Sequence, residues 1–222
     1  MEAINNDMQV RMALLKETGY NVEAAQKCWD FVRGDETKKQ EPDSDRLADG
    51  VYIIQEDGRA FRFVGEWTWD GEAAYIGIVQ GSHSVAIALH DVSEDLITLT
   101  AKVSENDHGG YKDRYMDAVQ DWDGEGNTIR LKQIGLNHAI QLKEGDYIPT
   151  LAELYLICLN RKAINEALRF VGGQGLKYWY WSSTEYSATD AWYLNLNGGI
   201  ANYDTKAANM NRVRLVRDFL HH

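Results

Sequence analysis

The run Pro149-Thr150-Leu151-Ala152-Glu153 constrains the fold of this chain more than any other feature. A proline sits comfortably at a helix start, the Thr150 hydroxyl can accept from the third helical N–H, and Glu153 can reach back to the capping residue. A helix therefore begins at Thr150, burying Leu154, Ile157 and Cys158, with Leu168 from the next helical run, Asn160 to Arg169, which Gly172-Gly173 ends. Upstream, Gly50–Gln55, Ala60–Val64, Ala73–Val79 and Ser84–Leu89 are rich in Val, Ile, Phe and Tyr. Asp57-Gly58, Asp70-Gly71 and Gly81-Ser82 separate them as hairpin turns, which predicts an antiparallel meander. Downstream of Tyr178, short strands alternate with a turn at Asn197-Gly198-Gly199, and Val213–Phe219 fits a closing strand. Strands, then helices, then strands make an α+β fold.

At 222 residues the chain is long enough to bury a self-sufficient core with a small appendage. The appendage is residues 1–34. Met8, Met12 and Leu15 recur at helical spacing, Gly19 breaks the run, and Asn21 caps a second helix from Val22 to Arg33. This hairpin is too small to stand alone and is expected to dock on the main domain or on another subunit, as a homo-oligomer contact. Residues 35–49, polar and containing Pro42, read as a linker, and 50–222 as the main domain. Ser104–Asp123 reads as one irregular helix, and Thr128–Lys143 is equally compatible with a helix or an extended segment.

A formal charge of -11 argues against nucleic acid, because phosphate binding needs clustered Lys and Arg. No apolar run resembles a signal peptide or a membrane span, so synthesis in the cytoplasm without membrane insertion is expected. Cys28 and Cys158 lack metal or redox spacing and read as plain buried thiols. Asp117, Asp121, Asp123 and Glu125 lack the spacing of a calcium loop and read as a solvated acidic segment. Ser182-Ser183-Thr184 beside Glu185 lacks a nucleophile elbow and a nearby histidine, so a hydrolase is the weakest reading. Trp181 is expected in the core and Glu185 bonded to backbone or to Arg212. Arg212 and Arg214 share one face of an alternating strand and Arg217 the other, as ion-pair partners of Glu153 or Glu185.

Ile148–Leu154, Ala163–Leu168, Gly172-Gly173, Tyr180-Trp181-Ser182-Ser183-Thr184-Glu185-Tyr186 and Arg212–Arg217 occur in an order that resembles a bacterial and phage family, the domain of unknown function 1566, abundant in gut Bacteroides and their phages. The resemblance spans roughly Gly50 to Phe219, and Thr150 and Leu215 depart from that family's usual Ser and Pro. It implies a C-type-lectin-like fold. Many members are variable proteins of diversity-generating retroelements, in which adenine randomisation diversifies a C-terminal segment. Here that segment would be about 178–211, where Trp179, Trp181 and Trp192 cluster among Tyr, Asn, Ser and Gly, a mixture that also suits an adaptable binding surface.

On that resemblance the candidate ligand-binding positions are Tyr186, Ala188, Asp190, Tyr193, Asn195, Ile200, Asn202, Tyr203, Asp204, Thr205, Asn209 and Met210. They interleave with scaffold positions Trp181, Trp192, Leu194, Leu196, Gly198, Lys206 and Arg212. Tyr193 and Tyr203 are the expected exposed anchors. The implied activity is non-catalytic recognition of a protein or glycan on a bacterial surface, by a protein that could be carried in a phage virion. No cofactor and no metal are expected, since no Glu-Pro-Asn sequence of a calcium-dependent lectin is present. A structural or assembly subunit of a phage or cell-surface particle is the alternative.

Overall fold

The computed structural model describes residues 47–65, 69–102 and 110–218, all within one compact unit beginning at Glu41. The helical hairpin expected over 1–34, most of the linker and Cys28 lie outside the described residues. The unit is α+β, with four helices and two antiparallel sheets among the described residues. None of these helices is long and apolar enough to cross a membrane.

The first sheet contains β1 (Gly50–Ile54), β2 (Ala60–Arg62), β3 (Tyr75–Gln80), β4 (His83–Ala88) and β8 (Val216–Arg217), in the order β2-β1-β3-β4-β8. The expected meander is therefore corrected. The tight turn at Gly58, whose φ of 85° favours glycine, folds β2 onto one edge of β1, and the following connection carries the chain to its other edge. Strand β1 reads as an unbroken apolar run because both its faces are covered. Val51 and Ile53 join the main core, while Tyr52 and Ile54 pack with Tyr75, Val79 and Ala86 on the opposite face. The end of the expected linker is tied to the sheet by two hydrogen bonds, Tyr52 donating to the Ala48 carbonyl and Asp49 accepting from the Gly81 N–H.

Helix α1 (Tyr115–Ala118) is a single turn, and α2 (Gly124–Ile134) starts where Asp123 accepts from the Gly126 N–H. The irregular helix expected over 104–123 is thus only one turn within its described part. Asp121 is not solvated. It is buried and accepts from Asn127 Nδ2 at 2.7 Å and Thr184 Oγ1 at 2.8 Å.

Helix α3 (Leu151–Leu159) begins with the expected capping box, Thr150 accepting from the Glu153 N–H and Glu153 accepting from the Thr150 N–H. It is apolar almost all round and correspondingly enclosed, packing on the second sheet, while α4 (Arg161–Phe170) packs on β1 and β3. Cys158 is half-buried rather than buried. Its thiol donates to the Leu196 carbonyl, and burial pushes its pKa up.

The C-terminal arginines find other partners than expected. Arg212 and Arg214 converge on Asp91, whose side chain is 1 % exposed, and Arg217 reaches Asp146 at 2.8 Å. Asp91 also accepts from Tyr180, so these ion pairs tie the closing segment to both sheets.

Candidate functional site

The second sheet has the order β5-β6-β7, formed by Trp179–Glu185, Asp190–Asn195 and Ile200–Thr205. Burial falls steeply across it. Every residue of β5 except Trp179 is buried, β6 buries Ala191, Trp192 and Leu194, and no residue of β7 is buried. The reason lies on either side. One face of β5 and β6 is covered by α3 through Tyr180, Trp192 and Leu194, and the other by a second core of Leu99, Leu131, Ile148, Trp181, Ala191 and Val213. Strand β7 lies at the margin of these layers, with only Ala201 packed against the main core.

The Trp181–Glu185 run anchors this sheet. Trp181 Nε1 donates to the Ile97 carbonyl at 3.0 Å, Ser182 Oγ to the Trp192 carbonyl at 2.8 Å, and Thr184 links Asp121 to the Leu151 N–H. Ser182 is fully buried with its hydroxyl on a backbone carbonyl, an arrangement opposite to that of an accessible nucleophile. Glu185 pairs with Lys206 rather than Arg212, both side chains being almost fully enclosed. The Lys206 carbonyl accepts from the Leu99 and Thr100 N–H groups, so Lys206 pins the end of β7.

None of the twelve candidate positions is buried, whereas Trp181, Trp192, Leu194, Leu196 and Lys206 between them all are. Gly198 lies in the exposed β6–β7 turn, and Arg212 is half-buried against Asp91. The candidates do not share one face, however. Residues paired across strands lie on the same side. Tyr193, Asn195, Ile200, Asn202 and Asp204 accordingly occupy one side, and Asp190, Tyr203 and Thr205 the other. Tyr186 joins the latter side by stacking on Tyr203, with ring centroids 3.6 Å apart. Ala188 sits in the β5–β6 turn, and Asn209 and Met210 follow β7.

The two tyrosines expected as exposed anchors differ in exposure. Tyr203 is 41 % exposed, but Tyr193 is partly buried, in edge-on contact with both Trp179 and Trp181. Burial and the nearby Asp204 charge push the Tyr193 phenol up. Around Tyr203 the structure gathers aromatics absent from the candidate set. Trp192 packs edge-on against it, Tyr115 packs against Trp192, and the Tyr115 and Tyr155 hydroxyls lie 2.9 Å apart. Tyr155 also donates to the Gly199 carbonyl, fixing the β6–β7 turn to α3. Tyr115 and Tyr155 lie far from the candidate segment in sequence, so no local pattern marks them.

Most polar candidates already hold local backbone or turn geometry. Asp190 accepts from Ser187, Thr189 and Thr205 hydroxyls, and Asn195 from the Asn197 N–H. Asn202 Oδ1 accepts from the Tyr203 N–H at 2.9 Å and Asp204 Oδ1 from the Thr205 N–H at 2.7 Å. A cleft of about 430 Å³ between Tyr75, His90, Lys143, Asp146 and Leu215 contains none of these residues. No family model matches the sequence, and no curated protein matches it significantly.

Proposed function

We propose that this chain is a non-catalytic ligand-binding protein that displays a diversified surface on a C-type-lectin-like scaffold and recognises a protein or glycan on a bacterial surface. One observation carries the reading. Along 178–211 the positions assigned to variation are accessible to solvent and those assigned to scaffold are mostly enclosed, which is what a surface needs if its side chains are to change while the core stays fixed. The aromatic group of Tyr186, Tyr203 and Tyr115, backed by the buried Trp192, adds flat amphipathic area of the kind that concentrates binding energy, and Ile200 and Met210 are exposed elsewhere on the segment. A variable protein of a diversity-generating retroelement is the specific form proposed; a reverse-transcriptase gene beside this one, with a near copy of the segment differing at adenines, is its genomic test.

The biochemical test replaces Ile200, Tyr203 and Met210 together by Ala and measures binding of labelled protein to a panel of intact bacterial cells. The fold is expected to persist: the exposed Ile200 and Met210 cost roughly 0.5 kcal/mol each, and Tyr203, which covers Trp192, accounts for most of any fall in melting temperature. Binding to any cell that wild type binds is expected to weaken by at least about 1 to 2 kcal/mol. A folded variant that binds those cells like wild type overturns the placement of the site.

A further inference from the structure

Among the described residues strand β7 is the outer strand of its sheet, six residues long and nowhere buried. Such an edge presents a row of main-chain donors and acceptors, and it is a template for another strand unless something blocks it. In antiparallel pairing alternate residues point their N–H groups outward. On β7 the outward donors include Tyr203 and Thr205, and each is taken by the side chain just before it, Asn202 Oδ1 and Asp204 Oδ1. Asn202 and Asp204 lie on the same side of the sheet.

We propose that Asn202 and Asp204 guard the β7 edge against pairing with β7 of a second copy of this chain. The second copy is the occupant that the geometry selects, because two-fold symmetry brings a strand against itself antiparallel. With the two-fold axis at Tyr203, each copy's Tyr203 N–H meets its counterpart's carbonyl, and the Thr205 N–H meets the carbonyl of Ala201. Both donors must first leave their side-chain acceptors in each copy, and the Asp204 carboxylates, once displaced, must face the approaching chain. With the axis shifted by one residue, the two Asp204 side chains oppose each other directly, which like charges disfavour. Capping therefore opposes both registers and the charge opposes the second further. This inference stands on the sheet order and hydrogen bonds, independently of the ligand reading. It gives positions 202 and 204 a second role: acceptors there leave the side chains of β7 available to a ligand while keeping its main chain closed.

The test is sedimentation equilibrium of the full chain over a range of concentrations, comparing wild type, N202A/D204A and N202D/D204N. The alanine pair is expected to self-associate at least about tenfold more tightly than wild type, since two donors per copy are released. The exchanged pair keeps an acceptor at each position and the same net charge, and is expected to match wild type. Amide exchange at Tyr203 and Thr205 should be faster in dilute N202A/D204A and slow again as concentration rises. Identical concentration dependence for wild type and a folded N202A/D204A overturns the proposal, as does association without protection at those two amides. If the alanine pair does not fold, N202A alone carries the test: it must speed Tyr203 exchange and strengthen association, and failure in either refutes the guard.

Discussion

Glu153 is the most informative place to perturb the scaffold, because a cap that normally works at a solvated helix end is here enclosed. Its carboxylate accepts from the Thr150 N–H and from Tyr147 Oη, both at 2.7 Å, and the residue is 4 % exposed. Desolvation dominates over these hydrogen bonds and raises its pKa from 4.5 to about 7, with the Asp121 charge adding to the rise. A raised carboxyl pKa means that the folded state binds the proton more tightly than the unfolded chain. The stabilisation is thus fully present below about pH 4.5 and is lost as pH rises through about 7. The shift corresponds to about 3 kcal/mol at most. In Glu153→Gln the charge is gone; the amide oxygen can serve the Thr150 N–H while its NH₂ donates to Tyr147. Urea unfolding of both proteins from pH 4.5 to 8 measures the effect as a difference, which removes contributions from other groups. The glutamine variant is expected to gain on wild type as pH rises, by about 2 to 3 kcal/mol across the window. A difference that stays constant with pH, or runs the other way, refutes the claim that desolvation governs this cap.

Two further substitutions address the second sheet. Trp181→Ala removes a fully buried indole and one of the two donors to the Ile97 carbonyl, and is expected to cost about 3 to 5 kcal/mol in chemical denaturation; a loss under about 1 kcal/mol would show that the indole is not a core element. Lys206→Met removes the countercharge of the enclosed Glu185 and is expected to cost about 3 kcal/mol or more, with most of that recovered in Lys206→Met/Glu185→Leu. A single variant as stable as wild type would show that the pair does not hold the end of β7.

Local signals were legible where the physics is local. The capping box at Thr150, the second helix ending near Gly172 and the strands around Asp57-Gly58 and Gly81-Ser82 all depend on residues within a few positions of one another. What the sequence hid depends on distant pairing. Nothing near Arg212 indicates that Asp91 rather than Glu185 will be its partner, and nothing near Glu185 separates Lys206 from Arg212 as the group that reaches it. The same holds for the site. Surface placement of the candidate positions was readable from their interleaving with large apolar residues, but Tyr115 and Tyr155 join the aromatic group around Tyr203 only through the packing of α1 and α3 on the sheet. Asp121 looked solvated among other acids because Thr184, one of its two partners, comes from β5 and is 63 residues away in sequence.

The split of the candidate positions over two sides of β6 and β7 changes what kind of surface this is. A binding face on one side of a sheet would leave the other side as core, and alternate residues of its strands would be closed to change. At the margin of the two packed layers that restriction lifts, and consecutive positions from Ile200 to Thr205 all reach solvent. The freedom is bounded by what each side chain does for the strand itself. Tyr203 covers Trp192 and stacks on Tyr186, so a small residue there would uncover a core tryptophan, whereas another flat ring would keep it covered. Asn202 and Asp204 tolerate exchange for each other more readily than replacement by an apolar residue, because the edge donors need an acceptor. Ile200 and Met210, 60 % and 54 % exposed, carry neither duty. Tolerance along this segment is therefore graded by local hydrogen bonding and stacking, and the least constrained positions are its exposed apolar ones.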